Sequence, residues 1–300
     1  MLKLKSKRLP VLISLAIGIF TSLIFIAFSS RFQNLELATI DWRFWIRGER
    51  DPGDEITIVT WDDETFKEMG HRYQDWSRSY HAKVIENLSR WGAKVIGFDI
   101  FVEDPSSNPG LQVLKELFTK EKDEKRKGML EEIKALMMRM GEDKVLASAC
   151  RQAGNVVFDS HFEIEEKKEY TRISFTPPLE IFLENKADYG FVNIRHDSDG
   201  FARTLLLTKT HQDETYLSSP LKILSKYLGV KESQIEVKEG KTKLGNIVIP
   251  IDKDNYMLIN FRGGARTFRC VPYYQVYEGI AEPSFFKDKI VLVGMFTETI

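Results

Sequence analysis

GAKVIGFDIFV, residues 92–102, decides the fold. After Gly92 the segment runs Val95, Ile96, Phe98, Ile100, Phe101 and Val102, with Asp99 as the one charge inside the run. A short apolar, β-branched run of this length reads as a strand buried on both faces. Such strands belong to parallel sheets, whose faces are both covered by helices. Upstream, Glu55–Thr60 (EITIVT) is a second run of the same kind, ending in Trp61-Asp62-Asp63. Between the two, Tyr80, Val84, Ile85, Leu88 and Trp91 recur at helical spacing, and Gly92 ends that helix. Strand, helix and strand in this order form a right-handed βαβ unit and hence the core of a parallel sheet. The spacing predicts that Asp62 and Asp99 stand on neighbouring parallel strands, with their carboxylates at the same edge of the sheet.

Downstream, a helix is expected from about Asp143 to Gln152, followed by a strand over Asn155–Phe162 (NVVFDSHF). The intervening residues 111–140 carry short apolar stripes around EKDEKRKG, an alternation of charge that marks a solvated face. Pro177-Pro178 breaks the chain, and Leu179–Leu183 starts a short helix. Strands follow over Tyr189–Ile194, Phe201–Thr208, Gln234–Val237, Asn246–Ile249 and Met257–Phe261, joined by the turn sequences DSDG, KEGKTKLGN and DKDN. Ser219–Gly229 reads as a helix with Ser219 as its cap, Pro220 at the first position and Gly229 at the end. Lys289–Gly294 (KIVLVG) is a last buried strand. The expected class is α/β: a mixed domain with a parallel core sheet and antiparallel additions, undivided over residues 32–300.

Before this domain, Leu9–Phe28 contains no charged residue. As a helix it would span about 30 Å, the thickness of a bilayer core. Lys3, Lys5, Lys7 and Arg8 precede it, which predicts a cytoplasmic stub over 1–8, a membrane-anchoring helix over 9–28 and an extracytoplasmic domain after it. A cleaved leader ending near Ala27-Phe28-Ser29 is the alternative, against which the length of the apolar stretch counts. Residues 32–47 continue helically as a stalk. Phe32, Leu35, Ile40, Phe44 and Trp45 form an apolar stripe that packs on its own domain or on a second copy in a homodimer.

The formal net charge is -1, and beyond the N-terminal cluster acids outnumber bases, so the chain lacks the basic face that nucleic acid requires. Cys150 and Cys270 show no metal-ligand spacing; they read as two buried thiols, with one disulfide as the alternative. The histidines lack H-E-x-x-H spacing, no phosphate-gripping glycine loop occurs, and neither G-x-S-x-G nor a cysteine nucleophile context is found. No cofactor is expected. Asp197-Ser198-Asp199-Gly200 opens like a calcium loop but lacks the remaining ligands, so a tight turn explains it better.

The candidate ligand or metal site is Asp62, Asp63, Arg78 and Asp99. Ligands bind beyond the carboxyl ends of strands in open parallel sheets, where several acids can hold a hard cation or move protons. The competing role for these acids is to cap helices or to pair with cations such as Arg78. A membrane-tethered, metal-dependent hydrolase using Asp62, Asp63 and Asp99 is the enzymatic alternative to a binding module.

Eight segments, taken in order, resemble the second type of CHASE domain, the cyclases/histidine kinases associated sensory extracellular domain. They are Asp41-Trp42-Arg43-Phe44, Ile58–Asp63 (IVTWDD), Trp76-Ser77-Arg78, Gly92–Asp99 (GAKVIGFD), Gly190-Phe191-Val192-Asn193, Asp199-Gly200-Phe201-Ala202-Arg203, Ile259-Asn260-Phe261 and Lys289–Gly294. The segment Tyr73-Gln74-Asp75 before Trp76 lacks the prolines common there, and the insertion at 111–140 is long for the family. The resemblance implies an extracytoplasmic sensory module of a bacterial transmembrane receptor, responding to a small-molecule or protein signal, without chemistry of its own. It further implies more membrane spans and a cytoplasmic effector, a nucleotide cyclase or kinase, beyond Ile300.

Overall fold

In a computed structural model of the chain, residues 5–27, 29–70, 76–106, 141–166 and 171–295 are described. The expected insertion at 111–140 lies outside the described residues, as do Tyr73-Gln74-Asp75. The chain divides into two units. One comprises residues 1–50 and 196–203; the other comprises 51–195 and 204–300.

The first unit contains helices α1 (Lys5–Ala27) and α2 (Ser29–Arg47). Gly48, at φ 72°, closes α2 by donating its N–H to the Phe44 and Trp45 carbonyls. The expected single apolar stripe of the stalk divides in two. Leu35, Trp42, Trp45 and Ile46 are exposed, whereas Leu37, Ile40 and Phe44 are half-buried at helical spacing. Among the described residues no helix is long and apolar enough to cross a membrane. The expected span Leu9–Phe28 includes Ile24, Phe25 and Phe28, whose side chains lie outside the description. The anchor therefore rests on the sequence.

The second unit is built on strands β1 (Ile56–Trp61), β2 (Val95–Phe101), β3 (Val156–Glu166), β4 (Thr171–Thr176) and β5 (Asp188–Phe191), joined by β13 (Arg269–Pro272) and β14 (Ile290–Met295). The order is β13-β1-β14-β2-β3, with β5 parallel to the first half of β3 and β4 antiparallel to its second half. All the pairs from β13 to β3 are parallel. One expectation fails here: β1 and β2 are parallel but not neighbours. β14 lies between them, so Asp62 and Asp99 flank a third strand. β14 takes the place between them from far along the chain, which periodicity along a βαβ unit cannot reveal.

Alternation along the strands serves two faces. Val59, Trp61, Ile96, Phe98, Phe158 and Val293 meet α4 (Arg78–Arg90), α5 (Glu142–Ala153), α6 (Glu180–Glu184) and α8 (Tyr273–Glu278) in the main core. Val95, Val157, Ile290 and Leu292 meet α7 (Ser219–Leu228) through Ile223 and Tyr227. The short helix α3 (Asp63–Met69) follows β1. Two glycines make a flat seat for α7: a Cβ on Gly97 would lie 2.5 Å from Ile223 Cδ1, and one on Gly190 would lie 2.4 Å from Ser219 Cα. The remaining strands are antiparallel: β6 (Thr204–Leu206) with β12 (Tyr256–Leu258), β7 (Thr208–His211) with β8 (Glu214–Leu217), and the meander β9 (Ile235–Lys238), β10 (Lys241–Leu244) and β11 (Ile247–Pro250). They enclose a smaller core of Leu207, Leu217, Leu221, Leu244 and Ile251.

Candidate functional site

At the carboxyl edge of the parallel sheet, Asp99 on β2 and Asp159 on β3 project towards the α7 side. The two strands pair through Phe98–Phe158, and their register then shifts so that Phe101 lies opposite Asp159. The irregularity leaves Asp99 exposed while Asp159 is only 6% exposed. On the other flank, Asp99 fits because β14 carries Gly294, where a Cβ would come 3.1 Å from Asp99 Oδ2. Asp159 lies beside Asp99 and beside Ser219 on the first turn of α7, whose backbone packs on Gly190 opposite Asp159. Burial pushes the Asp159 carboxyl up to about 8; the Ser219 hydrogen bond opposes this, and the Asp99 charge adds to it. Ser218, not Ser219, is the capping residue of α7, one position earlier than the sequence suggests, and its side chain makes no capping bond. The Ser219 hydroxyl stands beside the Asp159 carboxyl.

The other candidate residues, Asp62, Asp63 and Arg78, have partners of their own. Asp62 caps α3: it accepts from the Thr65 N–H and from the Thr60 hydroxyl, each at 2.9 Å. Asp63, exposed, begins that helix, where its charge favours the helix dipole. Arg78 ties two helices together, with its guanidinium on Asp143 and its backbone N–H 3.1 Å from Glu142 Oε2. Neighbouring Trp76 stacks on Tyr273 at 5.0 Å, and Ser77 caps α4. The Trp76-Ser77-Arg78 element is thus an anchor for the start of α4. Beneath it, His81 Nδ1 lies 2.8 Å from the Tyr273 hydroxyl, and burial together with the Arg78 charge holds the imidazole down at about 3, so it is neutral. Among the described residues no group of three or more His, Cys, Asp or Glu is arranged to hold a metal ion. Cys150 is buried, Cys270 is half-buried, and both thiols are free.

A second polar cluster lies in the first unit; the sequence offers its parts as a turn and as two separate family-like segments, without their pairing. Arg203, 4% exposed, is bound by three carboxylates. Its Nε and one terminal nitrogen hold Asp41 of α2 at 2.9 and 2.6 Å. The terminal nitrogens also reach Asp197 at 3.0 Å and Asp199 at 2.9 and 2.8 Å. The turn is closed by Asp197 N–H to the Phe201 carbonyl and Gly200 N–H to the Asp197 carbonyl. The guanidinium holds the Asp41 and Asp199 carboxyls below the usual range through these hydrogen bonds. Spatial convergence of an Asp in the stalk with an Asp-Gly-Phe-Ala-Arg turn far along the chain leaves no local signal. Only the pairing of an unexplained acid with an unexplained arginine could have suggested it.

The chain is built on a seven-stranded, mainly parallel sheet covered on both faces. The model of the CHASE2 domain family matches residues 18–300, and the chain belongs to that family. CHASE2 is an extracellular sensory domain, and a non-catalytic one. No curated protein and no solved structure matches the chain.

Proposed function

We propose that the chain is the sensory module of a transmembrane receptor, anchored by α1 with its N-terminus in the cytoplasm and signalling through α2 to a cytoplasmic effector of the nucleotide-cyclase or kinase class. The observation that carries this reading is the grip of Arg203 on Asp41. The turn bearing Arg203 runs covalently into the sensory fold at both ends, through Arg195 and Thr204, and the acid it holds belongs to the stalk helix. A shift in the fold thereby has a charged handle on the helix that leads to the bilayer. A signal of small-molecule or protein nature acts by preferring one of two arrangements of that handle, and only to the extent of its differential affinity. The exposed Leu35–Trp42–Trp45–Ile46 stripe of α2 is the seam for a second copy, because a heptad-like spacing suits a parallel pair.

The deciding experiment joins this chain to a receptor output domain in cells and reads output for the parent, Arg203→Ala and Asp41→Asn. Both variants should fix output at one level irrespective of stimulus, with the fold intact by circular dichroism. Normal stimulation in both would refute the handle.

A further inference from the structure

We infer that Asp99 and Asp159 form a proton-binding site that sets the position of the α7 N-terminus, so that protons are one input to this module. The inference rests on the sensory reading for its meaning but not for its test. Two carboxylates on adjacent strands repel when both carry charge, and Asp159, almost wholly buried where Asp99 is exposed, has little water of its own to relieve that repulsion. In the protonated state one O–H bridges the pair, and Ser219 donates to Asp159. Ionisation breaks that O–H bond and releases the proton to water. The two charges then repel, and the Asp159 carboxylate is drawn to the positive end of the ten-residue helix α7, whose capping serine makes no side-chain bond. The Ser218 hydroxyl is buried and without a hydrogen-bond partner among the described residues, so a donor is at hand.

No described cation competes for Asp159. Asp99 is the titratable group that β2 brings to it, β5 brings Gly190 opposite it, and β14 brings Gly294 against Asp99 on the far side. On α7, Lys222 is held by Asp188 and Glu232, and Lys226 by Asp188. Two residues further along β3, His161 faces Glu103 and Glu163 at 3.5 and 3.6 Å. The junction is wired to its surroundings through backbone: Ser218 N–H donates to the Leu207 carbonyl at 2.9 Å and bridges Phe191. Leu207 stands four residues after Arg203 in the chain.

The test is an infrared titration of the full chain in detergent micelles, with amide hydrogen exchange followed at Leu217, Ser218 and Ser219. The expected result is a protonated-carboxyl band that persists above the ordinary carboxylate range and disappears towards about pH 8. It should be absent in Asp159→Asn and shifted to lower pH in Asp99→Asn. Exchange at the three amides, corrected for intrinsic rates, should change across the same range in the parent and stay flat in Asp159→Asn. Should Asp159→Asn not fold, the shift in Asp99→Asn decides alone. An unshifted band in Asp99→Asn, its survival in Asp159→Asn, or its absence from the parent overturns the site. Since the titration needs neither a membrane orientation nor an effector, a wrong receptor topology would leave its outcome unchanged.

Discussion

The carboxylates of Asp41 and Asp199 lie against a guanidinium, whereas that of Asp159 lies against another carboxylate, and the two arrangements have opposite signs in pH. For Asp41 and Asp199 the folded pKa is depressed. Their contribution is present above the unfolded value of 3.8 and is lost as pH falls through the lowered one. For Asp159 the folded pKa is raised, so the folded state keeps a proton that the unfolded state has lost, and stability declines as pH rises from 3.8 to about 8. Proteolysis around residues 196–203 should therefore stay slow well below pH 4 in the parent. In Arg203→Ala it should be faster on the order of tenfold at neutral pH, from the loss of several charge-assisted hydrogen bonds. At Asp62 a simple cap is expected: Asp62→Ala should lower unfolding free energy by about 1 kcal/mol in urea melts. A larger effect on ligand binding than on stability would instead return Asp62 to the candidate site. Asp159 was hidden in the sequence because NVVFDSHF reads as a buried strand, yet its Phe-Asp step repeats Phe98-Asp99, and that repetition was the available signal.

Elements were legible where burial imposes a pattern. The runs that became β1, β2, β3 and β14, and the stripes of α4, α5 and α7, follow directly from periodicity, because both the sheet faces and the helices over them must be apolar. Strands β4, β7, β8, β10 and β13 and helices α3 and α8 were not recognised. β4, for instance, is TRISFT and stops just before Pro177-Pro178, while β10 is KTKL, a charged strand held by its two meander neighbours. For such segments tertiary pairing overrides local preference. The seat of α7 offers a test at this scale. Gly190→Ala places a methyl 2.4 Å from Ser219 Cα, backbone against backbone, and should cost about 1–3 kcal/mol, measured as a fall in the denaturant midpoint. Thiol labelling gives another: Cys270 should react in the native state, and Cys150, buried in α5 with its thiol pushed up to about 12 by burial, only on unfolding.

Across the whole molecule, the sequence could state the class of the fold but not the order of the sheet, because adjacency of strands is a property of the assembled chain. The position of β14 has a consequence for how the protein comes into being. Residues 290–295 leave the ribosome after every other strand of the sheet, yet they pair with both β1 and β2. Until they arrive, each of those strands presents an unpaired, apolar edge, and the main core lacks Val291 and Val293. The parallel sheet thus cannot close progressively during synthesis or export. Until β14 has emerged the nascent chain must be kept apart from its neighbours by chaperones, and the sheet then closes in one late, long-range step of the slow kind. A chain ending at Lys289 should accordingly show no cooperative unfolding transition and should aggregate, and supplying the missing strand in trans as a peptide should restore part of the transition. Proteases that patrol the compartment would have a single brief opportunity, between arrival of the chain and capture of its final strand, to discard it.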